Sequence, residues 1–343
     1  MMTSESQIFS LAEHRAMDAA GRAQRKIAEK FTRLHAESEA ILSEEASIAG
    51  QIGFLSSTMV QVTLPHREPK GNPAAWGRSN GRASLTIQPG FYIQKEVQID
   101  SKGKKKTVQN PVSLGYPYGS IPRLLLAWVG REVARKKERE IVLGATLTQF
   151  MNDLGISSHT GGVRGSITAV KAQTRKLFSS TIALVDNPDE VDWNNDGFKL
   201  ADSLNVWWDP TNPQQSGLFD SKVTLSERFF NEILRSPVPL DMRALRALKQ
   251  STFALDVYCW LTYRSFSVTR RTEVPWEALQ AQFGSETQST RKFRSLFRRA
   301  LCDVSVVYPD AKYDDSSSAA LVLLPGTRTS VRQISNNWSR TPR

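Results

Sequence analysis

"WEALQAQFGSETQSTRKFRSLFRRAL", running from Trp276 to Leu301, poses the fold question for this chain. A short helical pattern built on Trp276, Leu279 and Phe283 stops at Gly284, and a second helical pattern follows. Five basic side chains, Arg291, Lys292, Arg294, Arg298 and Arg299, are threaded there between Phe293, Leu296, Phe297 and Leu301, with no acid after Glu286. At about 100° per residue, Leu296, Phe297, Ala300 and Leu301 fall within about 80° of Phe293. The remaining arc carries Gln288, Arg291, Lys292, Arg294, Ser295, Arg298 and Arg299. Like charges three and four residues apart on an isolated helix repel by roughly 0.2–0.5 kcal/mol a pair, so this face costs stability unless an anion lies against it. Taken alone, the segment suits either a plain soluble helix or one shaped to meet a polyanion.

A second copy of the pattern bears on that choice. Leu147, Phe150, Leu154 and Gly155 stand where Trp276, Leu279, Phe283 and Gly284 do, at one offset (276 − 147 = 129). The short helix "TLTQFMNDL" from Thr146 stops at Gly155. In the segment that follows, Val163, Ile167, Val170, Thr174, Leu177 and Phe178 share one side. Arg164, Lys171 and Arg175 lie beside or opposite them, again with no acid. Four matches in register predict two copies of one unit. Each copy has a long apolar helix ahead of it, Ile121 to Lys137 and Phe253 to Ser265, and β segments behind it.

Helix, short helix, turn, basic helix and hairpin is the order of a winged helix, in which the last helix enters the DNA major groove. The expected fold is α+β: tandem winged-helix (helix-turn-helix) domains with an N-terminal helical appendage. Expected boundaries are 1–50 for the polar helical extension, 51–217 and 218–326 for the two winged helices, and 327–343 for a basic tail. A membrane-lying helix is disfavoured, because Phe293, Phe297 and Leu301 are needed to close the core under the following strands.

Elsewhere, Gln7 to Leu42 reads as polar helix without a wide apolar stripe. "STMVQVTLPH" reads as a strand, and "GRSNGRASLTIQPG" as a hairpin turned at Asn80-Gly81. "SKGKKK", from Ser101, reads as an exposed basic loop. "TIALVD" and "FKLADSLNVWW" are expected to pair as a long hairpin, and Asp209 to Gly217 to be a linker or loop tip. Helices are expected over Ser226–Leu234 and Leu240–Leu248, with "VSVVYP" and "AALVLLP" as the closing strands.

The formal charge of +11 and the pI near 9.7 favour an acidic partner such as nucleic acid or an anionic membrane face. No apolar run approaches the ~20 residues that span a bilayer, and the N-terminus lacks the pattern of a secretory signal. Cys259 and Cys302 sit in apolar helical patterns, which suits buried thiols in a reducing cytosol. A phosphate-cradling G-x-x-x-x-G-K-[ST] is absent. The four histidines, His14, His35, His66 and His159, match no metal motif, and His66 and His159 read as surface or backbone-contacting residues. "DWNNDG" at Asp192 to Gly197 fits half of a calcium loop, but Ser203 stands where a bidentate Glu belongs, so it reads as a turn. Trp207 and Trp208 read as wing or core packing, with base stacking as the alternative. No cofactor and no metal are expected. An enzyme acting on DNA would need clustered acids, and Asp186 to Asp202 is the only acidic stretch to supply them.

At "VQVTLPHREP", "SNGRASLTIQPG", "YPYGSIPRLLLAWVGREVAR", "FMNDLGISSHTGGVRGSITAVKAQTRKLF", "LSERFFNEILRSPVPLDMRALRALKQSTFALDVYCWLTYR" and "WEALQAQFGSE" the chain resembles plasmid-encoded RepA-type replication initiators of bacteria. The resemblance spans roughly Val60 to Pro309. It implies a cytoplasmic, non-enzymatic initiator that binds repeated sites (iterons) on double-stranded plasmid origin DNA and helps open adjacent A+T-rich DNA. It also implies host initiator and helicase proteins as partners, a monomer–dimer equilibrium and self-repression. The alternative is a winged-helix transcriptional repressor without a replication role. Under either reading Gln288 and Arg291, near the helix start, are expected to reach bases. Arg294 and Ser295 lie on the same arc, and Lys292, Arg298 and Arg299 are expected at phosphates. Arg164, Lys171 and Arg175 have the same roles in the first unit.

Overall fold

The computed structural model describes residues 4–81, 83–99, 105–144, 146–157, 160–162, 164–185, 198–205, 221–284 and 289–331. Outside them lie Gln288, Val163, His159, Trp207, Trp208, the turn at 192–197, the expected linker at 209–217 and most of the basic tail. The chain opens with a 40-residue helix, α1 (Ser4–Ser43), then strand β1 (Ile52–Ser56) and short helix α2 (Ser57–Gln61). Four strands come next: β2 (Trp76–Asn80), β3 (Ala83–Gln88), β4 (Phe91–Ile99) and β5 (Lys105–Ser113). Helix α3 (Ser120–Lys136), strand β6 (Glu140–Val142) and helices α4 (Leu147–Asp153) and α5 (Ser166–Ser179) follow. Strands β7 (Thr181–Val185), β8 (Phe198–Lys199), β9 (Ala201–Asn205) and β10 (Lys222–Leu225) end the first half. The second half begins with α6 (Glu227–Arg235), β11 (Pro237–Asp241), α7 (Met242–Leu248) and α8 (Thr252–Phe266). It continues through β12 (Thr272–Pro275), α9 (Trp276–Phe283), α10 (Thr290–Val307), β13 (Tyr313–Asp314) and β14 (Ala320–Leu323). The fold is mixed α+β.

The repeat seen in the sequence has a structural counterpart. Sheet β6-β10-β9 and sheet β12-β14-β13 have the same antiparallel order: the strand ahead of the short helix pairs with the last strand of its unit, which pairs in turn with the strand before it. Leu147, Phe150, Leu154, Trp276, Leu279 and Phe283 are all buried, and Gly155 and Gly284 end the short helices at φ +74° and +56°. Only glycine takes that backbone region without a steric cost.

The halves meet on an antiparallel pair, β1 with β11, in register from Ile52↔Asp241 to Ser56↔Pro237. Its ends repeat each other. Ser57 N donates to the carbonyl just before β11 (Ser236, 3.0 Å), and Met242 N to the carbonyl just before β1 (Gln51, 2.8 Å). The last residue of each strand then caps the next helix, Ser56 accepting from Met59 N and Asp241 from Arg243 N.

A buried charge cluster ties α3 to α8. Arg123 Nε and Nη2 donate to the two carboxylate oxygens of Asp256 at 2.6 and 2.8 Å, and His66 Nε2 donates to Oδ2 at 2.8 Å. The remaining Arg123 donors reach the carbonyls of Leu64, Pro65 and Gly119. Burial pushes the Asp256 carboxyl up, but the Arg123 charge and the bonds from Arg123 and His66 outweigh it and hold the group well below the usual carboxylate range. Burial also lowers the His66 pKa, against the bond and charge of Asp256. His66 is therefore a partly buried partner of Asp256 and not a surface histidine.

Several expectations are corrected. Residues 57–61 are helix α2 and not strand, because the Ser56 cap closes a turn that lets Met59 and Val60 bury together. "VSVVYP" continues α10 as helix: Val304, Val307 and Tyr308 keep the three-to-four spacing into the core, and Tyr308 N bonds back to Val304. The second hairpin is instead β13–β14. "TIALVD" pairs mainly with β3 and meets β8 at only two positions, while β9 joins β10 in another sheet. The polar N-terminal helix is not a free appendage, since Leu34, Ser38 and Ile41 are buried and Lys30 pairs with Asp303 of α10. Lys105 and Lys106 lie in β5 rather than a loop, within a nine-residue ladder with β4 that the sequence reading missed. Cys259 is buried, with its thiol pKa raised by burial, but Cys302 is exposed.

Candidate nucleic-acid interface

Helix α10 starts at Ser289, whose side chain accepts from Lys292 N at 3.4 Å. Ser289→Ala is expected to cost about 1 kcal/mol in a urea unfolding titration by removing that cap. Phe293, Phe297, Ala300, Leu301 and Val304 face inward. Phe297 packs against the rings of Phe253, Trp260, Trp276, Phe283 and Phe293, with centroids 5.3–6.0 Å away. Leu296, which the wheel placed on the apolar arc, is 39% exposed. Its side of the helix is closed only further along, where Lys30 of α1 meets Asp303.

The polar residues on the outer arc of α10 divide into two groups. Arg291, Lys292, Ser295 and Arg299 are exposed. Arg294 and Arg298 are half-buried and turn toward the loop between β13 and β14. Arg294 Nη1 donates to Ser318 O at 2.7 Å. Arg298 donates to Asp315 O, lies 3.5 Å from the Asp315 carboxylate and sits over the Trp276 ring at 5.9 Å. A wheel cannot separate these groups, because the loop that claims two of the arginines is distant in sequence. Gln288 lies outside the described residues.

In the first unit Arg164 and Arg175 are exposed and Lys171 is half-buried. The Arg175 guanidinium lies 5.4 Å from the Tyr92 ring centre. Lys171 and Arg175 line a groove of about 1300 Å³ whose other walls include Phe91, Phe178, Lys199 and Asp202. Phe91, 62% exposed, and Tyr92 were missed in the sequence; their alternation in "FYIQKEVQI" was the available signal.

Among the described residues no three His, Cys, Asp or Glu side chains are grouped to hold a metal, and no helix is long and apolar enough to cross a membrane. No curated protein and no solved structure matches the chain. One family model does match, over residues 116–277, from just ahead of α3 to the start of α9 and so including α5. Its description is plasmid encoded RepA protein (RepA_C), and this central region of the chain is similar to that family.

Proposed function

We propose that the chain is a plasmid replication initiator that binds double-stranded origin DNA through tandem winged helices and performs no catalysis itself. The observation that carries this reading is the twice-repeated order of short helix, glycine turn and basic helix, each ending in a three-stranded sheet of the same order. In this reading α5 and α10 are the groove-facing helices, and the β9–β10 and β13–β14 segments are the wings. In this reading the first winged helix runs through β10 to Leu225, past the expected boundary at 217, because β10 completes the sheet with β6 and β9, and the tail follows 326.

Arg291, Lys292, Ser295 and Arg299 present the DNA-facing surface of the second unit, with Arg291 and Gln288 proposed for base contacts and Lys292 and Arg299 for phosphates. Arg294 and Arg298 hold the neighbouring wing loop against the helix, as their carbonyl partners support. Arg164, Lys171 and Arg175 serve the first unit. Iteron binding, opening of nearby DNA, host initiator and helicase partners, a cytoplasmic setting and a monomer–dimer equilibrium complete the reading.

Arg291→Ala with Arg299→Ala is the direct test, by gel shift against footprinted DNA from around the gene. Loss of a base contact is expected to cost about 1–3 kcal/mol and relax one position, whereas loss of a phosphate contact weakens all sequences and lowers the salt slope by about one. Unchanged affinity and salt slope would remove α10 from the interface. A plasmid carrying only the candidate origin separates initiation from repression: replication that depends on this chain supports the initiator, and promoter silencing without replication overturns it.

A further inference from the structure

Arg246, the fifth residue of α7, donates from Nη2 to the carbonyl of Asp153, the seventh residue of α4, at 2.6 Å. Gln282, the seventh residue of α9, donates from Nε2 to the carbonyl of Gln61, the fifth residue of α2, at 3.1 Å. The donor switches sides, yet the positions correspond. In each case the helix that follows β1 or β11 in one half grips the end of the short helix in the other.

The glycine ending each short helix is held in the same way. Lys249 Nζ donates to Gly155 O at 2.5 Å, and Arg78 Nη2 donates to Gly284 O at 3.4 Å. A Cβ on Gly155 would lie 2.4 Å from the Arg246 side chain, and one on Gly284 would lie 2.5 Å from Arg78. The arginine arms from the opposite half thus fill the space any larger residue would need. Arg78 is anchored at home as well, on Thr63 Oγ1, while Arg246 Nη1 makes a second bond into the opposite half, to Gln51 Oε1 at 2.9 Å. Burial pushes the Arg78 pKa down to about 10, with Asp256 opposing and Arg123 adding, so the group stays charged at neutral pH.

We infer that Arg246, Lys249, Arg78 and Gln282 cross-brace the two helix-turn units, so that α5 and α10 meet DNA as one rigid pair and the protein selects the spacing between two contact blocks. This rests on the DNA-binding reading above. The four are positioning residues, off the outward faces of α5 and α10. B-DNA repeats every 10–10.5 base pairs, so about 5 inserted base pairs turn the second block to the opposite side of the duplex. A rigid pair loses one of its contacts there, and a loosely joined pair reaches both.

For the test, duplexes are enriched with the full-length chain from a random pool about 40 base pairs long, footprinted, and rebuilt with about 5 base pairs between the protected blocks. The unaltered protein is expected to bind the lengthened duplex at least about tenfold more weakly in gel shift, while Arg78→Ala with Arg246→Ala narrows that ratio to about threefold or less. A merely structural loss lowers both affinities together and leaves the ratio unchanged. Lys249→Ala removes one bond and keeps the guanidinium packed, so it gives a smaller narrowing even where the double variant fails to fold by circular dichroism. Failure to enrich any duplex overturns the DNA-binding reading and this inference with it. A single protected block, or a variant ratio equal to that of the unaltered protein, overturns the cross-brace alone.

Discussion

Asp256→Ala is expected to destabilise the protein by about 3–5 kcal/mol, read from the urea unfolding midpoint, because it strips a buried guanidinium of its counter-charge. Arg123 and Asp256 are each less than a tenth exposed. The carbonyls of Leu64, Pro65 and Gly119 still accept from Arg123, but none carries the charge that offsets its desolvation. Because α3 belongs to one repeat and α8 to the other, the loss is expected to loosen the halves together and not one alone.

The same cluster sets the sign of the acid response. Asp256 has a folded pKa below its unfolded one, so its contribution is present above the ordinary carboxylate pKa and is lost as pH falls through the folded value. His66 has a folded pKa below 6.5, so the unfolded chain takes up its proton first and stability falls as pH drops below that value. Both act in one direction. Unfolding midpoints measured from neutral pH downward are expected to fall steadily, and Asp256→Ala to flatten the acid end of that curve. A loss under about 1 kcal/mol with an unaltered pH profile would show that the cluster does not hold α3 to α8.

Phe297→Ala is the second large effect, again about 3–5 kcal/mol, since it leaves a void where five aromatic rings converge. Collapse into that void is limited, as Phe253, Trp260, Trp276, Phe283 and Phe293 are each held by their own helices. Phe297→Leu keeps much of the volume and is expected to cost clearly less. Because Phe297 seats α10, loss of DNA binding is expected to accompany the alanine variant at temperatures where the remaining fold still melts cooperatively. A near-neutral alanine variant would mean that the ring cluster does not anchor the helix.

The two short helices, their glycine stops and the two basic helices were legible because their signals are local. Leu147, Phe150 and Leu154 repeat at helical spacing, and a positive φ after them selects Gly155; Trp276, Leu279, Phe283 and Gly284 do the same. The Asn80-Gly81 turn was readable for a similar reason, since Gly81 takes φ +54° between paired strands. Where the reading failed, the deciding partner was far away. "STMVQ" has β-branched character, yet a cap from Ser56 and the pairing of β1 with β11 make it a helix. "VSVVYP" has strand composition, but Val304, Val307 and Tyr308 find a core that rewards helical spacing.

For the candidate interface, the amino-acid order alone determined that α10 buries Phe293 and Phe297 and turns its arginines outward, because side-chain direction on a helix follows from residue spacing. Tertiary structure alone decided that Arg294 and Arg298 are taken up by the loop at 315–318 while Arg291, Lys292 and Arg299 stay exposed. It alone decided, too, that Arg246 grips Asp153 and Gln282 grips Gln61, contacts 93 and 221 residues apart in the chain. Spacing along a helix fixes direction but carries no record of what arrives beside it, and only the packing that brings α7 to α4 and α9 to α2 supplies those partners.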